Sequence, residues 1–313
     1  MAEPAESSTI TIRVGGMAIV LPVKNGRALV PASIKLPNGK PRFHLSFPRE
    51  MGDTDQGAKY LVYHEARNGY EPPTRSLLEK ILRPGDLFID VGAHWGFFTL
   101  QAATHPVGDV AVIAFEPDPT NAGILLKNIA GNGMRETASV VCAACGDNFD
   151  LAPLVTNSSM MHSIRGVGLK GPNFPQGPAH WVSVISLDSA LTRFPAASNR
   201  RVILKIDAEG FEPNVIAGAK ALLGSGRVAM IIWECGQAFS DGPERDALLA
   251  MISTLDELGF HHVRPISDQA DSPVCAFSTA EKYEANVFSY HPAVLKDFDQ
   301  LLVMKPNDAG QRA

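Results

Sequence analysis

The sequence predicts an α/β fold in which a doubly wound, largely parallel sheet follows a small β-rich appendage at the amino terminus. From Pro72 onward, short apolar segments alternate with helical segments, which is typical of a parallel sheet covered on both faces. Before Pro72 the chain has short extended pieces separated by Gly-Gly and Asn-Gly dipeptides, which are turn and hairpin signals. We therefore divide the chain into an appendage, residues 1–71, and a main domain, residues 72–313.

Each element is assigned from its periodicity and its flanking residues. In the appendage, extended segments are predicted at residues 9–14, 17–21, 42–47 and 59–64. In the main domain, apolar runs predict seven strands, at residues 86–90, 110–115, 138–143, 202–206, 228–233, 260–265 and 286–290. The segments between them predict helices at residues 75–82, 95–104, 119–129, 212–223 and 244–258, the first of them capped by Thr74.

One stretch of the main domain, residues 156–180, shows no period and carries Ser, Gly, Pro, Met and His. A loop of this length in a compact domain is usually functional or disordered. We predict a lid or substrate loop here, and a plain surface insertion fits the composition equally well.

Composition and charge exclude several classes of protein. The 313 residues are 45% hydrophobic and 19% charged, as in ordinary globular chains, with a net charge of −5. No basic field suggests a nucleic-acid partner, and no apolar run approaches the roughly 20 residues of a membrane span. The amino terminus lacks a signal-peptide pattern, and four cysteines are too few for a disulfide framework. We therefore expect a soluble, reduced, cytoplasmic protein.

The turn after the first strand of the main domain predicts a nucleotide-like ligand. Asp90 ends that strand, and Gly92 would let the backbone approach a ligand without a Cβ in the way. Position 94 is His, whereas a dinucleotide-binding turn needs a second glycine there. No nucleoside triphosphate loop is present either. A nucleoside without a diphosphate is the ligand that remains.

Acidic residues follow three successive strands of the predicted sheet. Asp90 can accept from an ammonium group, Glu116 can take both ribose hydroxyls, and Asp147 stands where an adenine amino group could donate. S-adenosylmethionine carries all three groups together with a positive sulfonium. Each acid alone is more often a loop residue or a helix cap, but the ordered set predicts this cofactor.

Several motifs resemble the FkbM family of S-adenosylmethionine-dependent methyltransferases. They are FIDVGAHWGFFTL, AFEPDP, ACGD, SLD, LKIDAEGFEPNVIAGA and IIWE. The resemblance implies a Rossmann-like class I methyltransferase sheet of seven strands with the last one antiparallel. It also implies a cofactor site at Asp90, Gly92, Ala93, His94, Glu116, Pro117 and Asp147, with Glu71 nearby. Two departures are His94, where many members have Asn, and the appendage, which does not match in detail.

The block from Lys205 to Glu212 predicts the chemistry. Lys205 lies within a buried strand, where an unpaired charge is costly, and it shares a face with Asp207. Glu209 follows at the strand end, and Glu234 ends the neighbouring strand. We expect these groups to converge and to hold and deprotonate an acceptor hydroxyl. A structural ion pair of Lys205 and Asp207 is the alternative, and Glu212 is interpreted as a charge at a helix start.

The sequence allows two further roles for side chains of the main domain. His162, in the loop 156–180, and His94 could each serve as a general base near neutral pH, although a packing or surface role is as common. Asp207, Glu209 and Glu234 could hold a divalent cation, because hard cations prefer oxygen ligands. We do not predict a metal.

The resemblance implies O-methylation of a hydroxyl on a small natural product or sugar, such as a polyketide or glycoside. One alternative is N-methylation of an amine or peptide, and another is a non-catalytic domain that binds the cofactor or a carrier. The expected partner is thus a small-molecule acceptor, without nucleic acid or membrane. The sequence leaves open whether the chain forms a homo-oligomer.

Overall fold

A computed structural model describes residues 8–156, 162–164, 180–235, 243–279 and 285–301. The strands in chain order are β1 (Ser8–Val14), β2 (Met17–Lys24), β3 (Arg27–Pro31), β4 (His44–Pro48), β5 (Leu87–Val91), β6 (Ala111–Phe115), β7 (Ala138–Val141), β8 (Ala144–Cys145), β9 (Asp150–Thr156), β10 (His162–Ile164), β11 (His180–Ile185), β12 (Val202–Ile206), β13 (Val228–Cys235), β14 (His261–Pro265), β15 (Val274–Ala276) and β16 (Ala285–Tyr290). The helices are α1 (Met51–Thr54), α2 (Gln56–Ala66), α3 (Pro72–Ile81), α4 (Phe97–Ala103), α5 (Pro119–Gly131), α6 (Leu187–Leu191), α7 (Glu212–Ala217), α8 (Lys220–Gly224), α9 (Pro243–Glu257) and α10 (Phe298–Leu301).

The main sheet has eight strands in the order β15-β14-β16-β13-β12-β5-β6-β7. Strands β5, β6, β7, β12 and β13 are parallel, and β16 runs antiparallel to β13. The seven predicted strands are all present, and the class I methyltransferase fold with its antiparallel last strand is confirmed. The eighth strand, β15, adds to the edge beside β14 and was not predicted.

The strand order reverses direction between β5 and β12, because β6 and β7 lie on one side of β5 and β12 and β13 on the other. At such a switch point the loops after neighbouring strands separate and leave a crevice at the carboxyl ends. Strands β5 and β12 are buried along their whole length, which explains why their sequences are mostly apolar. Each strand contains one charged residue, Asp90 in β5 and Lys205 in β12, and these two residues lie side by side.

The appendage forms an antiparallel sheet in the order β1-β2-β3-β4 and packs on the main domain. The ring of Phe43 lies 5.4 Å from that of Phe97, and the ring of Phe47 lies 5.3 Å from Trp95. Buried side chains of both parts belong to one hydrophobic core. Asn128 of α5 also accepts a hydrogen bond of 2.9 Å from the Ser46 amide. The appendage is therefore joined to the main domain by apolar and polar contacts.

Two predictions about local structure were wrong. Residues 59–64, predicted as extended, lie in helix α2, whose buried residues include Ala58, Leu61, Val62 and Glu65. That spacing is helical, and it outweighs the β-propensity of the tyrosines and valine. Thr74 does not cap α3, because the helix begins at Pro72 after Glu71. Thr74 instead accepts a hydrogen bond from Asn286.

A second small sheet, in the order β10-β9-β11-β8, was also missed. Its strand β10 interrupts the predicted loop 156–180 and pairs antiparallel with β9. The remainder of that loop, residues 157–161 and 165–179, lies outside the described residues.

None of the helices that the structure describes is long and apolar enough to cross a membrane.

Candidate active site

A cavity of about 800 Å³, termed the central cavity, opens at the carboxyl ends of β5, β6, β12 and β13. Its wall includes Gly92 after β5, Glu116 after β6, Asp207 after β12 and Glu234 in β13. Helix α2 of the appendage also contributes side chains to this wall. The crevice expected between β5 and β12 is therefore present as a cavity, and the appendage forms part of its wall.

The glycine turn shapes the floor of the cavity. Gly92 has a φ of 76°, and a Cβ at this position would collide with the backbone carbonyl of Asp207. The amides of Gly92 and Ala93 both donate to the carbonyl of Phe115, at 2.9 and 3.0 Å. His94 also has a positive φ, and its ring stacks on Trp95 at 4.6 Å between centroids. The turn therefore needs glycine at residue 92 for steric reasons.

Glu116 presents a buried carboxylate to the cavity. Its Oε2 accepts from the His94 amide at 2.8 Å and its Oε1 from the Asp118 amide at 2.9 Å. Burial raises the pKa of Glu116 to about 7, and the two amide hydrogen bonds partly offset this shift. A carboxylate has about four acceptor positions, so Glu116 can accept a further hydrogen bond from a hydroxyl group. Pro117, the next residue, also lines the cavity.

Asp90 lies beneath the cavity and is 1% exposed. Its Oδ2 accepts from the Thr99 hydroxyl at 2.6 Å, whereas its Oδ1 has no hydrogen-bond partner among the described residues. Burial raises the pKa of this carboxyl, and the nearby charge of Lys205 opposes that shift. The side chain borders a small pocket shared with Tyr70 and Lys205.

Asp147 is not among the residues that line the cavity. Its side chain is exposed, and its Oδ2 accepts from Asn148 at 3.0 Å. The wall after β7 is formed instead by Ala143, Ala144 and Cys145. The role of Asp147 toward an adenine amino group therefore stays a prediction from the sequence.

The expected pair of Lys205 and Asp207 is present. Lys205 is 2% exposed and donates from Nζ to Oδ2 of Asp207 at 2.8 Å. Its Nζ also lies 4.9 Å from the ring centroid of Phe98. Burial acts to lower the pKa of Lys205, but the carboxyl groups of Asp207, Glu71 and Asp90 outweigh it and raise the pKa. Lys205 is therefore a permanent cation beneath the cavity wall.

The structure also brings together Asp207, Glu209 and Glu234, which we call the carboxyl cluster. One oxygen from each lies within 4.8 Å of the others. The charge of Asp207, followed by burial, raises the pKa of Glu234 to about 9. Burial and the charge of Asp207 raise the pKa of Glu209 to about 7. These oxygens could hold a cation, because positive charge between them would relieve their mutual repulsion.

Two more glutamates lie next to the carboxyl cluster. Glu71 has a φ of 40° and lines the cavity, where its Oε2 accepts from Asn286 at 2.6 Å. Glu212 is fully buried at the start of α7, and its Oε1 accepts from the Ala208 amide at 2.9 Å. Burial raises the pKa of Glu212 to about 8. Its location at a helix start agrees with the sequence interpretation, but its complete burial was not foreseen.

The residues that helix α2 contributes to the cavity were not identified from the sequence. Tyr60, Tyr63, His64 and Arg67 line it from one helix face. The last three follow Tyr60 by three, four and seven residues, a spacing that places side chains on one face of a helix. Interpreting the segment as helical would have identified them.

His162, the other predicted catalytic residue, lies in β10, but its side chain is outside the described part of the chain. Its catalytic role stays a prediction.

The comparison with family models identifies one family. A family model described as the methyltransferase FkbM domain matches residues 90–261, more than half of the chain. Among curated proteins, none matches the chain.

Several solved structures are similar to the chain at low identity. Methyltransferase FkbM from Methylobacillus flagellatus is 15% identical with a TM-score of 0.43, over 71% of this chain and 48% of that one. The chain thus spans about half the length of that protein. An O-methyltransferase from Bacillus cereus, solved in complex with SAH, is 10% identical with a TM-score of 0.42, over 71% and 82% of the two chains. Precorrin-6y C5,15-methyltransferase from Geobacter metallireducens is 12% identical with a TM-score of 0.39, over 74% and 93%.

Proposed function

The chain belongs to the FkbM methyltransferase family, and from this premise we propose that it methylates a hydroxyl group of a small acceptor with S-adenosylmethionine as the donor. The observation that carries the proposal is that a nucleoside-type site and the carboxyl cluster open into one cavity. Gly92 and Glu116 form the nucleoside-type site, and Asp207 and Glu209 belong to the carboxyl cluster. A donor and an acceptor bound there would meet without water between them.

The residues around the glycine turn fit the donor. Glu116 offers two carboxylate oxygens at the cavity surface, which suits a ribose diol. Gly92 leaves the floor of the turn free of a Cβ. Asp90 keeps one buried oxygen without a hydrogen-bond partner among the described residues, an acceptor for an ammonium group. When bound, S-adenosylmethionine supplies an activated methyl group on its sulfonium.

Glu209 is the proposed general base for the acceptor. An alcohol is almost fully protonated at neutral pH, so a nearby base with a pKa close to 7 favours its attack. Glu209 lines the cavity, and burial raises its pKa to about 7. Asp207, fixed by Lys205 at 2.8 Å, would orient the hydroxyl.

The carboxyl cluster favours oxygen over nitrogen as the methylated atom. Carboxylates raise the pKa of a nearby amine and so keep it protonated, without the lone pair that attack requires. A hydroxyl beside the same carboxylates stays neutral and keeps its lone pairs, and a carboxylate base can take its proton as it attacks.

The test is multiple-turnover formation of S-adenosylhomocysteine with a panel of macrolides, monosaccharides and glycosides. We expect turnover with at least one hydroxyl acceptor, and a loss in kcat of about 100-fold in Glu209→Gln. Glu257→Gln, at an exposed position on α9, is the matched control and should keep full activity. Equal activity of Glu209→Gln and Asp207→Asn with the wild type would favour nitrogen. Cofactor binding without turnover on any acceptor would favour a binding-only protein.

A further inference from the structure

The central cavity combines the carboxyl cluster with aromatic side chains of α2, and this combination points to the class of acceptor. We propose that the acceptor carries a protonated amino group, which the carboxyl cluster and the rings of Tyr60 and His64 hold while a neighbouring hydroxyl is methylated. The inference rests on the proposed function and narrows its acceptor to amino alcohols, including amino sugars.

The first observation is the charge of the cavity wall. Its acidic residues are Glu71, Glu116, Asp207, Glu209, Glu234 and Asp268. Among the described residues that line the cavity, Arg67 is the single arginine or lysine, and its guanidinium lies over the ring of Tyr63 at 5.1 Å. Lys205 beneath the wall offsets one further acid. The donor adds one net positive charge, and the raised pKa values of Glu116, Glu209 and Glu234 indicate that these acids hold protons while no further cation is bound.

The second observation is the aromatic surface of α2. Tyr60 is 46% exposed, and its ring centroid lies 4.1 Å from that of His64 and 6.1 Å from that of Tyr70. Burial raises the pKa of the Tyr60 phenol. The nearby charges of Glu71, Glu234 and Asp207 raise this pKa further. Burial lowers the pKa of His64, which keeps that ring neutral. Neutral aromatic faces beside carboxylates are the usual surroundings of a bound ammonium group.

A third observation is a fully buried carboxyl group beside the carboxyl cluster. The Oε2 of Glu212 has no hydrogen-bond partner in the part of the chain that the structure describes. When Glu212 is ionised, its charge adds to the repulsion that raises the pKa of Glu234. A cation bound at the carboxyl cluster would stabilise the ionised form of both groups.

An ammonium group fits this site better than a divalent metal. Divalent cations of the hard class take about six or more oxygen ligands, so water or acceptor oxygens would have to complete the shell of one bound at the carboxyl cluster. The carboxyl cluster supplies three acidic residues, and α2 contributes the rings of Tyr60 and His64 to the same cavity. Aromatic faces bind organic cations but are not ligands for such metals.

The test compares two small probes of matched shape on protein saturated with S-adenosylhomocysteine. The probes are trans-2-aminocyclohexanol, which is protonated at pH 7.5, and trans-1,2-cyclohexanediol, which is neutral. Calorimetric titration should show at least tenfold tighter binding of the amino alcohol. Glu234→Gln and Tyr60→Leu should each reduce that preference at least fivefold, and Glu257→Gln should leave it unchanged. Tyr60 is half-exposed on a helix surface, so its replacement tests the site even where Glu234→Gln impairs folding.

Equal affinities for the two probes would overturn the inference, as would a preference that survives both substitutions. Stoichiometric binding of Mg²⁺ or Mn²⁺ alone, lost in Glu234→Gln, would replace the ammonium site with a metal site. These results would leave the proposed function standing if S-adenosylhomocysteine binds. A protein that does not bind S-adenosylhomocysteine would overturn the proposed function itself, and the inference with it.

Discussion

The ammonium group of Lys205 donates a hydrogen bond of 2.8 Å to Asp207, two residues further along the chain. Strand side chains alternate between faces, so residues two apart can meet at the strand end. The pair joins the buried sheet to the central cavity, because Lys205 is 2% exposed and Asp207 lines the cavity. This single contact therefore couples stability to the position of an active-site carboxylate.

Removal of the lysine charge should be strongly destabilising. In Lys205→Met, Asp90 would remain buried beside Asp207 without a cation, and we expect a loss of about 3 kcal/mol in the free energy of unfolding. Urea denaturation gives the value. The double variant Lys205→Met, Asp207→Asn should lose less than the sum of the two single variants, because the charges are removed together. Strict additivity would contradict the coupling.

Gly92→Ala should be more damaging than the conformational strain of alanine alone explains. Gly92 and Gly133 have similar φ values, 76° and 73°, but a Cβ at residue 133 meets nothing within 4 Å. Gly133→Ala should therefore cost about 1 kcal/mol, the usual strain of this backbone region. Gly92→Ala should cost more and should weaken cofactor binding as well, because the Asp207 carbonyl must move. Thermal unfolding and cofactor titration of both variants are the measurements, and equal losses would refute the steric argument.

Stability should fall as the pH rises from about 4.5 toward 8, and Glu212 should account for part of the fall. Its pKa is raised from the ordinary 4.5 to about 8 by burial, so between these values the folded protein retains a proton that the unfolded chain releases. Through Glu212, each pH unit in this window removes up to about 1.4 kcal/mol of stability. The raised pKa values of Glu116, Glu209 and Glu234 act in the same direction. Glu212→Gln cannot ionise and should make the profile measured by urea denaturation less steep, whereas Glu257→Gln should keep the wild-type slope. An unchanged slope in Glu212→Gln would show that Glu212 is ionised when folded.

The sheet and most acidic site residues could be predicted because both depend on local patterns. Apolar runs such as residues 202–206 are buried on both faces, and Glu116 and Asp207 follow such strands directly. The small sheet was missed because β9 includes Pro153 and pairs with a strand distant in the chain. No local pattern specifies that pairing.

The particular appendage residues that line the cavity could not be predicted for a different reason. Tyr60 and His64 reach the cavity only because α2 packs over the carboxyl ends of the main sheet. Propensity favoured a strand for this segment, and tertiary packing of its Leu61 and Val62 face decided for a helix. The same limit applies to Asp147, whose exposure depends on where the chain turns after β8.

The most direct test of the account is calorimetric titration of the protein with S-adenosylmethionine, with and without a chelator. We predict binding that is unaffected by the chelator, at least tenfold weaker binding in Glu116→Ala, and wild-type affinity in the exposed control Glu136→Ala. Thermal unfolding of each variant would establish that it is folded. Absence of binding by the wild-type protein, or equal affinity of Glu116→Ala, would contradict the assignment of the central cavity as a methyltransferase active site.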